Sequence, residues 1–331
     1  MTLKELAERL ALDVSTVSRA LSGSQRVKEE TRQRVLEAAR ALNYTPNFVA
    51  RGLRSRTTRT VALVSGVLDV TVERKKLALV GDRLWHEGFH LFIGDTRDDK
   101  EREIQYVEGF LARRVDGMIV DPVEPEGPNQ HLARLARERF PLVLCKRVPG
   151  LKAHTVYVDY ASGAREAYDF LTKKRGRTRI AFFGRKTRFH EDGPEAVEKR
   201  FGLVFTADMV HLKSADIDAY RAGYAGVKEV LADAGRPRPD AIFCDDDRTA
   251  IGALLALAEA GVRVPQEMSV VGMDDLPASE FAAPPLTTVA QPKEDFGLKA
   301  AEVLLEAIVK GPSFEPVQIA MKPRLIVRAS A

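Results

Sequence analysis

Residues 2–23 read TLKELAERLALDVSTVSRALSG. This stretch predicts two short helices joined by a tight turn. Thr2 and Glu5 have the T-x-x-E spacing of a capping box, in which two side chains satisfy free backbone N–H groups reciprocally. Leu3, Leu6, Ala7 and Leu10 then share one face. Ala11 and Leu12 make the turn, and Asp13 caps the second helix with its carboxylate. Val17, Ala20 and Leu21 point inward, which leaves Val14, Ser15, Ser18 and Arg19 outside; Gly23 stops the helix. A third helix from about Glu29 to Leu42 buries Val35, Leu36, Ala39 and Leu42. The second helix is short and polar outside, the shape of a recognition helix that enters a major groove by its N-terminal end. A three-helix protein-interaction module has the same pattern.

Charge separates the two readings. Arg40, Arg51, Arg54, Arg56 and Arg59 lie between Ala38 and Thr60 with no carboxylate among them. The first sixty residues hold 12 Lys and Arg against 6 Asp and Glu, whereas the other 271 hold 39 against 41. Basic charge gathered in one head is the footprint of a polyanion partner. Pro46 and Asn47 open a short basic segment reaching Arg54. It is weakly helical, because Gly52 costs about 1 kcal/mol relative to Ala and so short a helix is unstable alone. Such a segment suits ordering on DNA.

After Thr60 the pattern becomes alternating β and α. The runs 61–64, 91–93, 118–120 and 142–145 are short and apolar, and 180–183, 241–243 and 270–272 repeat the pattern in a second half. Runs of this kind read as buried parallel strands joined by helices. The fold class is therefore an all-α helix-turn-helix head followed by an α/β body of two doubly wound lobes, with strand ends facing a common cleft. At 331 residues the chain is long enough for two or three domains. It contains no run of eighteen apolar residues, and Met1 opens directly into a charged amphipathic segment, so a cytoplasmic protein with no membrane partner is expected. Cys145 and Cys244 sit in apolar runs and read as buried free thiols, with a disulfide as the alternative. The six His residues show no metal-ligand spacing. Gly184-Arg185-Lys186-Thr187 lacks the upstream Gly and the Gly-Lys pair of a phosphate loop. No nucleophile–base pair or nucleotide fingerprint is visible, so neither an enzyme nor a cofactor is expected.

Several segments together carry a closer likeness. Thr16-Val17-Ser18-Arg19, Glu29-Glu30-Thr31-Arg32, 42–47 (LNYTPN) and 50–54 (ARGLR) resemble the head and hinge of the lactose-repressor (LacI/GalR) family of transcription regulators. In the body, Cys244-Asp245-Asp246-Asp247 with Ala250 and Gly252, 269–275 (SVVGMDD), 285–292 (PLTTVAQP) and 113–117 (RRVDG) resemble the same family, so the similarity runs essentially end to end. One departure is Lys28, where the family usually has a Ser or Thr cap. The resemblance implies a DNA-binding head at 1–45, a hinge at 46–59 and an effector-binding, dimerising body at 60–331. Lobe one would span about 60–159 and 291–320, and lobe two about 160–290 and 321–331. It also implies that Val14, Ser15 and Arg19 read bases, that Thr16 and Ser18 hold phosphates, and that Leu53 wedges into the minor groove. Thr2, Asn47, Ala50 and Arg54 complete the expected DNA-contacting set. The implied partners are a pseudo-palindromic operator duplex, a second copy of the chain and a small effector, most often a sugar. Whether the effector releases the DNA or promotes its binding stays open.

In the cleft, Asp246 and Asp274 stand at strand ends, where a carboxylate can accept from neighbouring hydroxyls. For Asp247 and Asp275 helix capping or a turn is the alternative. Gln291 follows in the 285–292 motif. Lys146 stands where relatives typically carry Asp, and Lys199 falls where they place a clamping Arg, with Arg200 as its substitute. If Lys146 and Lys199 or Arg200 face the cleft together, an anionic effector follows. If they are solvated rim charges, it does not.

Overall fold

The computed structural model describes residues 2–21, 24, 26–44, 57–66, 71–184, 207–211, 218–233, 235 and 237–331. The chain divides into two compact units, Met1–Arg59 and Thr60–Ala331.

The head consists of α1 (Leu3–Leu10), α2 (Val14–Leu21) and α3 (Glu29–Ala41). The capping box forms: Glu5 N donates to Thr2 Oγ1 at 3.2 Å, and Thr2 N donates to Glu5 Oε2 at 2.9 Å. α1 ends at Ala11, which takes the left-handed conformation at φ 51°. Asp13 accepts from Ser15 N at 2.7 Å. Its hydrogen bonds from Ser15 hold its carboxyl below the usual carboxylate range. Leu6, Ala7, Val17, Ala20, Val27, Val35 and Ala39 form the buried core. Lys28 precedes α3 without a side-chain capping bond.

In the body, β1 (Thr60–Ser65), α4 (Thr71–His86), β2 (His90–Asp95), α5 (Lys100–Ala112), β3 (Gly117–Val120), α6 (Gln130–Arg137), β4 (Leu142–Leu144) and β5 (His154–Val158) come first. They are followed by α7 (Tyr160–Asp169), β6 (Ile180–Gly184), β7 (Ala207–His211), α8 (Ala219–Ala232), β8 (Ala241–Cys244) and α9 (Asp247–Glu259). The chain continues through β9 (Ser269–Met273), α10 (Pro277–Glu280), β10 (Thr287–Ala290), α11 (Lys293–Lys310), β11 (Gln318–Met321) and β12 (Arg324–Ile326).

Lobe one is the sheet β11-β5-β4-β3-β1-β2, parallel throughout. Lobe two is the sheet β12-β10-β9-β8-β6-β7, parallel except where β12 joins β10. The fully buried strands β3, β4, β6, β8 and β9 are the apolar runs of the sequence, as parallel strands covered on both faces require. The winding reverses between β1 and β3 in lobe one and between β6 and β8 in lobe two. In open α/β sheets ligands bind outside the carboxyl ends of the strands at such a switch point.

The chain crosses between the lobes after β5, after β10 and between β11 and β12. Tyr160, at the first crossing, packs against the cores of both lobes. α11 returns to lobe one, where Phe296, Ala300, Ala301 and Leu304 join the core. In lobe two α8 and α9 approach backbone to backbone. A Cβ on Gly223 would lie 1.9 Å from Thr249 O, and one on Gly252 1.9 Å from Tyr220 O. Both positions therefore need glycine because of this close helix contact.

Candidate functional site

The head presents the outer face of α2, although Val14, expected outside, is half-buried and packs against the core because it opens the helix beside the turn. On α2, Val17 and Ala20 are buried, Ser15 and Arg19 are exposed, and Val14, Thr16 and Ser18 are half-buried. Thr2 is exposed at the start of α1, with its hydroxyl engaged in the capping box. Short hydroxyl side chains beside an arginine form a surface that can reach phosphate oxygens and base edges. Asn47, Ala50, Leu53 and Arg54 lie outside the described residues.

In lobe one a cavity opens at the carboxyl ends of β1, β3, β4 and β5. Ser65, Asp121, Lys146 and Tyr160 line it with Lys76 of α4 and Phe296 of α11. Lys146 does not stand there as an isolated cation. Its Nζ lies 2.9 Å from Asp121 Oδ1 and donates to Pro122 O at 2.9 Å. Burial alone would lower the Lys146 pKa, but the adjacent Asp121 carboxylate outweighs it and holds the ammonium above its ordinary value. This pair removes one premise of the anionic-effector expectation, since the charge of Lys146 is already balanced. The other premise, Lys199 and Arg200, lies outside the described residues.

The loop that supplies Asp121 is fixed from behind. Glu103 of α5 is fully buried and accepts from Val123 N at 2.6 Å. It also meets Lys100 Nζ at 2.7 Å and His131 Nε2 at 2.8 Å. Burial pushes the Glu103 pKa up, but the His131 and Lys100 bonds prevail and hold it low. Asn129 closes the same loop through Nδ2 bonds to the carbonyls of Glu124, Pro125 and Gly127.

In lobe two the acids at the ends of β8 and β9 divide the work differently from the sequence reading. Asp246 is the residue that caps α9, accepting from Arg248 N at 2.6 Å, and its other oxygen meets Arg248 Nη2 at 2.6 Å. A direct ligand contact by Asp246 must therefore compete with Arg248. Asp247 is no cap: it lies fully buried and accepts from Leu276 N at 2.7 Å, Ser279 Oγ at 2.6 Å and Thr288 Oγ1 at 2.5 Å. Burial, reinforced by the charge of Asp274, pushes its pKa up to about 7.

Asp274 takes φ 111° at the end of β9. It accepts from Gln291 Nε2 at the second lobe crossing. Gln291 Oε1 is buried with no hydrogen-bond partner, so an acceptor waits beside Asp274 for a donor. Asp275 is tied down by Arg328 Nη2 at 2.7 Å, and its carbonyl accepts from Lys293 Nζ at 2.6 Å. Asp274 and Gln291 thus come together at one strand end, Lys146 joins Asp121 in the other lobe, and Asp246 turns toward Arg248. Asp121, Ser279 and Thr288 carried no local signal in the sequence. Among the described residues no group of three or more His, Cys, Asp or Glu side chains is placed to hold a metal ion, and no helix is long and apolar enough to cross a membrane.

Known proteins share both halves of this arrangement. Residues 2–47 match the bacterial regulatory proteins of the lacI family, and residues 169–331 match the periplasmic binding protein-like domain. Over 342 aligned residues the chain is 30% identical to the HTH-type transcriptional repressor PurR of Mannheimia succiniciproducens, covering 99% of this chain and 98% of that one. The chain belongs to the lacI family. PurR of Aliivibrio fischeri is likewise 30% identical, over 99% of this chain and 98% of its own length. Among solved structures, a complex of the transcriptional regulator CelR with cellobiose is 29% identical with a TM-score of 0.69, covering 100% of both chains. The fold also matches a lac repressor dimer bound to operator and the anti-inducer ONPF, with a TM-score of 0.84 at 24% identity over 100% of this chain and 98% of that one. As a lacI-family member the chain is a sequence-specific DNA-binding regulator of transcription, a repressor, and a small effector controls its binding to the operator.

Proposed function

We propose that the chain acts in the cytoplasm as a homodimer, without catalysis and without a cofactor, gripping an operator of two inverted half-sites. The observation that carries this reading is the outer face of α2. Ser15 and Arg19 are exposed there, while Val17 and Ala20 are buried in the core with Val14 and Leu21 packed beside them. Val14, Ser15 and Arg19 read base edges there, Thr2, Thr16 and Ser18 hold phosphates, and the 46–59 hinge adds Asn47, Ala50, Leu53 and Arg54. Exposed large apolar side chains in both lobes support the dimer. Trp85 is 68% exposed on α4, and Phe92 and Ile93 are exposed on the edge strand β2; in lobe two Tyr220, Leu255 and Phe281 are exposed on or beside α8, α9 and α10. Large apolar side chains left open in groups mark interaction surfaces.

The effector docks at the strand ends, with Lys146 and Asp121 on one lobe and Asp274 and Gln291 on the other. It shifts the population of lobe geometries, and with it the spacing of the two heads. Selection of binding sites from a random duplex pool with the full chain tests the reading. Two inverted half-sites are expected, and a single unrepeated motif or no enrichment would contradict it.

A further inference from the structure

A second cavity of lobe one lies at the opposite edge of the sheet from the cleft, at the amino ends of β4 and β5. The turn after α6 and the segment between α11 and β11 close it, and Phe140, Pro141, Pro312, Phe314 and Pro316 give it an apolar wall. Its volume is about 360 Å³ with the mouth included, room for one ring and its substituents. Arg139, Lys152 and His154 supply nitrogen donors to the lining, and among the described residues no Asp or Glu joins them.

His154 fixes the polarity of this wall. Only 8% of it is exposed, and its ring stacks on Phe314 with centroids 4.5 Å apart. Nδ1 accepts from Val317 N at 3.3 Å, where the chain enters β11. Burial, with the nearby charge of Arg139, holds the ring below its ordinary pKa against the pull of Glu306 and Glu315, so it is neutral near neutral pH. A neutral ring whose Nδ1 accepts carries its proton on Nε2, and no described residue accepts from that nitrogen. Arg139 meets Glu315 only at 3.5 Å, between two exposed side chains, a contact that a ligand displaces at little cost. Lys152 is exposed and pairs with no carboxylate among the described residues.

The wall thus offers two cationic donors and one neutral donor beside apolar surface. A cation is repelled here, and a neutral ligand leaves both positive groups unanswered, whereas a carboxylate can accept from all three. Its apolar remainder then covers the proline and phenylalanine side chains. We propose that this cavity is a second ligand site, separate from the cleft, for a small monocarboxylic acid with an aromatic or branched apolar body. The walls of the site lead to the lobe crossings: β5 runs from His154 to the first, and α11 runs from the second to Lys310. An occupant there bears on the elements that join the lobes without entering the cleft.

Thermal melting of the full chain tests this with benzoate and isovalerate against benzamide and isovaleramide, their uncharged counterparts, at matched concentration and ionic strength. A ligand that binds the native state raises the melting temperature. One of the acids is expected to raise it saturably while its amide does not. The variant Arg139→Gln/Lys152→Gln changes two exposed side chains, so it is expected to melt near the parent. It should bind the same acid at least about tenfold more weakly, the loss of roughly one charge-assisted hydrogen bond. Crystals grown with a halogenated analogue of the stabilising acid, such as para-iodobenzoate, locate it by anomalous scattering, and a halogen peak beside Phe140 and Phe314 is expected. An equal rise with the amide, no rise with either acid, unchanged affinity in the double variant, or no halogen peak in this cavity overturns the proposal. Arg139 then serves only the C-terminal end of α6, where a cation is favourable.

Discussion

Asp247 receives three hydrogen bonds and still resists ionisation, because it is fully buried and faces the negative charge of Asp274. An acid whose folded pKa is raised binds its proton more tightly in the native chain than in the unfolded one. Its contribution to stability is therefore greatest below the unfolded value near 4, declines as pH climbs toward the folded value of about 7, and levels off above it. The difference across that window is about 2–4 kcal/mol for this group. Asp247→Asn should remove most of it. Denaturant unfolding at pH 5 and pH 8 checks this: the parent loses stability over the interval, and the variant loses clearly less. Equal losses in the two proteins would mean that Asp247 is ionised throughout.

Among the elements, α2 carries the reading of DNA. Arg19→Ala should weaken binding to the selected operator by about 1–3 kcal/mol and leave binding to random duplex nearly unchanged, as measured by competition anisotropy. An equal loss on both DNAs would make Arg19 a phosphate contact. Thr2→Val removes the capping-box hydroxyl from α1 and should cost the head about 1 kcal/mol, visible as a lower melting temperature of the helical signal.

The elements also explain what could be read in advance. The helices of the head were legible because their signals are local: a cap, a period of 3.6 and a stop within a dozen residues. Most of the buried parallel strands were legible as apolar runs. β5, β7, β10, β11 and β12 were not, since each is short and partly polar, and β12 pairs with β10 only through the last lobe crossing. Three consecutive acids at Asp245–Asp247 hid which one caps α9, because that depends on where β8 ends and the helix begins. The Lys146–Asp121 pair was illegible for a different reason. Its partners are far apart in sequence and become neighbours only through the strand order of lobe one.

For the whole molecule, the head and the body have to act through a dimer if one effector site is to control two half-sites. Leu255→Glu with Phe281→Glu places charge at two exposed apolar positions of lobe two and should shift sedimentation to the monomer, with operator affinity falling at least about tenfold. Retained dimers would locate the interface elsewhere. The central claim is that a basic head recognises a particular DNA sequence rather than polyanions in general. The most direct test is the ratio of affinities for the selected operator and a random duplex of equal length, measured by anisotropy with the full chain from low to physiological salt. The account predicts that both affinities fall steeply with salt while the operator stays at least about a thousandfold tighter near physiological salt. Equal affinity for the two duplexes at every salt concentration would contradict it.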